Sequence, residues 1–289
     1  MSDNSPKDIF DTRRQRLYRQ RATAITARDP AADILSSLMA EEIVARLELV
    51  TRDFRHALII GNAPESLTTA LTHQNISISR CDIAASGVAG VQPLERWDRL
   101  PQDIETPDLV ISIGILDAVN DLPGLLIQLR RALKPDGLFL AAMLGSGSLA
   151  RLKAAMLAAD GAQVTPHIHP QIDVRAAGNL LSRCGFTMPV SDGDSLRLRY
   201  FDMMQLIRDI RAFGGSNALA TPLHPLGQSG LERAQQAFAA QADADGKTEE
   251  QIELIWMSGW APSPDQPKPA RRGSATASLA DALRKPPKQ

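Results

Sequence analysis

Two stretches of this chain are apolar at almost every position, Asp108–Ile113 (Asp-Leu-Val-Ile-Ser-Ile) and Leu138–Leu144, and both are strand-length. A strand with apolar side chains on both faces has no solvated side, so it belongs inside a parallel sheet covered by helices above and below. Between the two, Leu122, Leu125, Leu126, Leu129 and Leu133 recur at helical spacing, and Lys134-Pro135-Asp136-Gly137 then breaks the pattern as a turn. Strand, helix, turn and strand in that order call for a right-handed βαβ crossover. The fold class is therefore α/β, a doubly wound and mostly parallel sheet with helices on both faces.

The first strand of that sheet is expected at His56–Ile60, running into Gly61. Pro64 then stands at a first helical position, Glu65 falls in the first turn, and Asn62 is expected to start the helix. A strand, a glycine and a helix start are the parts of a Rossmann-like nucleotide turn. A second strand is expected at Ile76–Asp82, ending in an acid, and a weaker third at Gly87–Val91. Past Gly145 the pattern gives helices at Leu149–Ala159, Val174–Cys184 (closed by Gly185), Met203–Phe213 and Leu231–Ala242. It also gives strands at Thr187–Tyr200, with a break at Asp192-Gly193-Asp194, and at Gln251–Trp260. Two late strands after a parallel half suit a seven-stranded sheet. Residues 1–50 read as an N-terminal helical extension, 51–262 as the main domain, and 263–289 as a Pro-rich basic tail whose segment 272–283 could be ordered by docking.

Composition excludes several functions. Aromatics are 4% of residues, too few for a base-stacking nucleic-acid surface. The cysteines, Cys81 and Cys184, lie far apart without metal-ligand spacing and read as thiols in a reducing compartment. The opening Met-Ser-Asp-Asn-Ser-Pro lacks an apolar secretion signal and no stretch has the length of a membrane span, so a cytosolic chain is expected. The net charge of −1 is unevenly spread: residues 1–30 hold seven basic and four acidic side chains, 261–289 hold six and two, and the body between them is acidic. The arginines at 13, 14, 16, 19 and 21 are therefore expected to dock on the acidic body or to form a solvated helix face. Contact with an acidic partner or an anionic lipid surface stays open.

Several short motifs occur in a telling order: Ile9-Phe10-Asp11 before the arginine cluster, Val119-Asn120-Asp121-Leu122-Pro123, Leu133-Lys134-Pro135-Asp136-Gly137, Pro166-His167-Ile168, Leu180-Leu181-Ser182-Arg183-Cys184-Gly185-Phe186, Gly215-Ser216-Asn217 and Arg272-Gly273-Ser274-Ala275-Thr276. In this order, over nearly the whole length, the chain resembles the respiratory complex I assembly factor 5 family. That family is a branch of the class I S-adenosylmethionine (SAM) methyltransferase-like proteins and is close to the malonyl-carrier-protein O-methyltransferases. The resemblance implies a Rossmann-like seven-stranded class I methyltransferase fold and a protein partner, with a respiratory complex I subunit as candidate. It also implies hydroxylation of an arginine, or chaperoning, during assembly. An active SAM-dependent O-methyltransferase on a small or carrier-bound acid, and a non-catalytic binding protein, are the alternatives.

By the same resemblance, SAM is the implied cofactor, held by Gly61, Asn62, Ala63, Asp82, Ile83, Gly114 and Leu116. Such a site needs glycines where the backbone meets the methionine part of the ligand, and an acid after the second strand that accepts from two ribose hydroxyls. Here the family's Asp-Leu-Gly-Cys-Gly-Arg-Gly run lands on Ile59-Ile60-Gly61-Asn62-Ala63-Pro64-Glu65, keeping one glycine of three. Its His-Trp pair is replaced by Asp117 and Ala118. The site is therefore expected to be degenerate, with no catalytic residue assigned. His167 and His169 have a His-x-His spacing that suits a metal, but no third ligand is marked, so a structural role is expected and no metal site is assigned.

Overall fold

The computed structural model describes residues 8–85, 90–160, 164–221 and 226–266. Two N-terminal helices, α1 (Thr12–Thr26) and α2 (Ile34–Glu48), precede β1 (His56–Gly61), α3 (Glu65–His73), β2 (Ser77–Asp82), β3 (Val91–Pro93) and β4 (Leu109–Ile113). There follow α4 (Leu122–Ala132), β5 (Leu138–Leu144), α5 (Ala150–Asp160), α6 (Val174–Arg183), β6 (Thr187–Tyr200), α7 (Met203–Phe213), α8 (Gln228–Ala239) and β7 (Thr248–Trp260). Asp11, Asp33, Asp121, Asp173 and Asp202 each accept a backbone N–H of the first turn behind them, which fixes where α1, α2, α4, α6 and α7 begin.

The strands form one seven-stranded sheet in the order β3-β2-β1-β4-β5-β7-β6, parallel except for β7, which runs antiparallel to β5 and β6. Strand order reverses between β1 and β4. The crevice at their carboxyl ends is where open α/β sheets take ligands. Side chains alternate along β1: Ala57 and Ile59 enter a core with α2, α5, α7 and α8, whereas Leu58 and Ile60 enter the opposite core with α4 and α6. Leu35, Met39, Ile43 and Leu47 of α2 lie in the first of these cores, packed with side chains of β1, β4 and β5.

Three local expectations need correction. The third strand lies at Val91–Pro93 rather than Gly87–Val91, and 86–89 are outside the described residues. β6 runs unbroken through Asp192-Gly193-Asp194, because β7 pairs along it there and Arg46 grips Asp192 with two hydrogen bonds of 2.9 and 2.8 Å. The cap of α3 is Pro64 with no side-chain hydrogen bond, because the amide of Asn62 is engaged elsewhere. Cys81 and Cys184 are buried free thiols, and burial pushes the Cys81 thiol up to about 11. Among the described residues no helix is long and apolar enough to cross a membrane. The tail segment 272–283 lies outside the described residues.

Candidate functional site

Gly61 ends β1 with φ +95°, and a Cβ added there would lie 2.6 Å from the Ile113 carbonyl oxygen and 2.7 Å from the Ile115 side chain. Close approach of β1 to the end of β4 therefore requires glycine here, independently of any ligand. The chain then turns inward, with Asn62 N–H donating to the Ile113 carbonyl at 3.0 Å. Asn62 is 3% exposed. Its Nδ2 donates to Ser36 Oγ at 2.7 Å and to the Phe213 carbonyl at 3.0 Å, joining β1 to α2 and α7. Across the crevice, Asp82 ends β2 and is 7% exposed; one of its oxygens accepts from Ala84 N–H at 2.8 Å.

The guanidinium of Arg19, from α1, lies between these groups. Its Nε donates to the other Asp82 oxygen at 2.8 Å, Nη2 donates to the Gly61 carbonyl at 3.2 Å, and Nη1 donates to Asn62 Oδ1. With side-chain exposures of 13% and 10%, Arg19 and Asp82 form a desolvated, hydrogen-bonded ion pair. Behind it, the Phe213 ring packs on the backbone of Gly114, where an added Cβ would meet ring atoms at 2.6 and 2.7 Å.

What remains among Gln15, Tyr18, Arg19, Asn62, Gly114 and Phe213 is a cavity of about 30 Å³. That is near one water molecule, against roughly 300–1,000 Å³ for sites that enclose small organic ligands. On the outer side of Arg19 a groove of about 470 Å³ runs past Asp33, Ala63, Glu65 and Arg80. In this conformation the carboxylate that a ribose would use is engaged by Arg19 and Ala84 N–H, and the enclosed cavity does not fit an adenosyl group.

The other residues expected around a cofactor lie as follows. Ala63 is half-buried beside the outer groove. Ile83 and Leu116, 3% and 1% exposed, are core residues of the α4–α6 side and offer the crevice no polar side chain; the Ile83 carbonyl accepts from Arg16 Nε at 3.2 Å. Arg19, which fills the crevice, is the residue that sequence reasoning missed. The one sequence signal was the arginine cluster facing an acidic body. Four of those five arginines turn inward: Arg14 donates to the Leu219 carbonyl, Arg16 to Ile83 and Glu95 carbonyls, Arg19 to the crevice and Arg21 to Ser216, while Arg13 is exposed. By contrast α1 buries only Gln15 and Ala22, so the helix is held down by polar contacts.

The two histidines go to different carboxylates. His167 Nε2 meets Asp160 at 2.5 Å; burial pushes the Asp160 carboxyl up, but the Thr165 N–H and then His167 together hold it below its ordinary range. His169 Nε2 meets Asp117 at 3.0 Å, both side chains 5% exposed or less, with the Phe10 ring edge-on. Asp117, standing where the family resemblance expects a ring, thus serves as the partner of a buried imidazole. Among the described residues no three His, Cys, Asp or Glu side chains come together as metal ligands.

A strand order with one reversed strand and a crevice framed by Gly61, Asp82 and Gly114 define the class I methyltransferase fold. No family model matches the chain. Relatives nevertheless align over most of it: arginine-hydroxylase NDUFAF5, mitochondrial, of Danio rerio is 30% identical over 97% of this chain and 91% of its own length. A malonyl-[acyl-carrier protein] O-methyltransferase of a Methylovorus strain is 34% identical over 80% of this chain and 84% of its own. Among solved structures, the YcgJ protein of Bacillus subtilis superposes with a TM-score of 0.47 at 14% identity, covering 78% of this chain and 98% of that one. The chain belongs to the NDUFAF5 arginine-hydroxylase family, within the methyltransferase-like proteins.

Proposed function

We propose that this chain is an assembly-factor protein that recognises a protein partner, and that its adenosyl cleft is closed by its own N-terminal helix rather than used for SAM. Arg19 carries this reading. Its guanidinium satisfies Asp82, Asn62 and the Gly61 carbonyl together, so the carboxylate that would hold a ribose and the turn that would meet the methionine part already have a partner. Displacing it would leave a buried carboxylate unpaired, at a cost of about 3–5 kcal/mol that ligand binding would have to offset.

The partner is taken, by likeness to the relatives, to be a protein bearing an arginine, with a respiratory complex I subunit as the candidate. Hydroxylation is the activity in those relatives' printed name and is carried here as part of the proposal, with no residue assigned to a chemical step. The cytosolic location expected from the sequence is a proposal too, beside relatives whose names say mitochondrial.

A second reading has one observation in its favour. The groove of about 470 Å³ lies directly outside Arg19, so rotation of that side chain would join it to the crevice and open a SAM-dependent methyltransferase site. Calorimetric titration with SAM and S-adenosylhomocysteine separates the two. The intact protein is expected to give no heat up to millimolar ligand, and micromolar binding by it would reject the closed-cleft reading. If Arg19→Ala binds where the intact chain does not, Arg19 is what shuts the cleft. In a host dependent on complex I, a deletion that loses the assembled complex and is not rescued by biotin supports the assembly role over carrier methylation.

A further inference from the structure

Past α1 from the plugged crevice lies a cavity of about 450 Å³, in the range of small-molecule sites. Its walls are aliphatic: Leu149, Leu152 and Met156 on one side, Ile168, Ile207 and Ile210 on the others. A contiguous groove of about 450 Å³ shares Met156, His167 and Ile168 with it and continues past Leu157 and Val164, both exposed. Two guanidiniums stand at the cavity, Arg21 from α1 and Arg211 from the last turn of α7, and among the described residues no carboxylate lines it. The imidazole on its wall, His167, is already held by Asp160.

Arg21 is only partly used. Its Nη2 donates to Ser216 Oγ at 2.5 Å and its head lies 4.9 Å over the Tyr18 ring, but its Nε is buried with no hydrogen-bond partner among the described residues. A buried donor on a charged group is costly to leave unmade. Burial, followed by the nearby positive charge of Arg211, weakens the hold of Arg21 on its proton. Like charges beside an apolar cavity, one with an unmade hydrogen bond, are relieved by an anion that brings its own apolar body.

We propose that this cavity binds an aliphatic carboxylate, its head between Arg21 and Arg211 and its chain along the Leu149–Met156 wall towards the Leu157 groove. Guanidinium and carboxylate form charge-assisted pairs, and the aliphatic walls supply the preference for a chain over a small anion. The ligand chemistry is the same whether the acid is a free aliphatic acid or an acidic side chain beside apolar residues of a partner protein. The site does not depend on what fills the crevice, so it can fail while the assembly reading stands, and the reverse.

The test is calorimetry of the full chain with octanoate, octanol and octylamine, and separately with a blocked tripeptide of two leucines and a glutamate. Octanoate or the peptide is expected to bind about tenfold or more tighter than the neutral and cationic chains, and whichever of the two is tighter identifies the source. Arg21→Met and Arg211→Met are each expected to weaken that binding about tenfold at unchanged melting temperature; Arg211 is exposed, so its variant keeps the test valid if Arg21→Met folds poorly. Equal affinity for the acid, alcohol and amine, no binding of either acid, or variants that bind as the parent does would overturn the proposal.

Discussion

Arg19 and Arg21 sit two residues apart on α1 and meet opposite surroundings. Arg19 points into the crevice at the end of β1 and β2, where a carboxylate, an amide oxygen and a carbonyl accept its hydrogens. Arg21 points to the far side, where one hydroxyl accepts, a second guanidinium stands nearby and the walls are aliphatic. A buried guanidinium with an acceptor on each of its three nitrogens acts as a structural part. One with an unmade bond beside an open cavity is what the proposed anion site rests on. The two arginines thus bear on separate proposals, the closed crevice and the neighbouring anion site.

The sharpest way to break this contrast is Gly61→Ala. At φ +95° and 2.6 Å from a backbone oxygen the new methyl has nowhere to go, and a loss of about 3–5 kcal/mol is expected in denaturant unfolding. A variant as stable as the parent would mean that β1 and β4 do not approach as described and that the crevice is roomier. Next comes Arg19→Ala, which strands Asp82 and is expected to cost about 3 kcal/mol. The same measurement should put Arg21→Met within about 1 kcal/mol of the parent, because no carboxylate loses its partner. Equal costs for the two arginines would erase the distinction between them.

Between those effects lies a buried charge that is neither arginine. Glu250 is fully buried and accepts the Arg151 and Leu152 N–H groups at the start of α5, yet burial outweighs these bonds and raises its pKa above the usual 4.5. The folded state then holds this proton more tightly than the unfolded one. Its stabilising contribution is fully present below about 4.5 and is lost as pH rises through the raised value. Glu250→Gln is expected to flatten that part of the stability–pH curve by on the order of 1 kcal/mol, without altering ligand binding at the crevice or the cavity. An unchanged curve would show that hydrogen bonds to the α5 start prevail over desolvation there.

How much of this could be read from the sequence follows from the range of each interaction. β5 was legible to the residue, and β4 to within one, because buried parallel strands are apolar on both faces and the turn at Pro135–Gly137 marks where β5 begins. β3, with three residues and no apolar run, carries too little pattern, and its start was misplaced. In β6 the Asp-Gly-Asp run looked like a break, but a turn signal loses to a paired neighbour that satisfies its backbone. Gly61 and Asp82 were legible as crevice residues because strand ends set them there. Arg19 was not, since its partners lie 43 and 63 positions away and no local rule joins them. Asn62 misled for the same reason: it has the shape of a helix cap, and three distant groups claim its side chain instead.

The clasp on α1 has a consequence for the order in which the molecule is completed. Arg14 reaches the carbonyl of Leu219, a residue 205 positions later, Arg21 reaches Ser216, and Phe10 forms a lone antiparallel bridge with Leu219. During synthesis α1 precedes its latch, which is translated 195 to 205 residues later. The groups that Arg19 grips in the crevice are all translated by Asp82, whereas the contacts that Arg14 and Arg21 make to tie α1 down need the segment after α7.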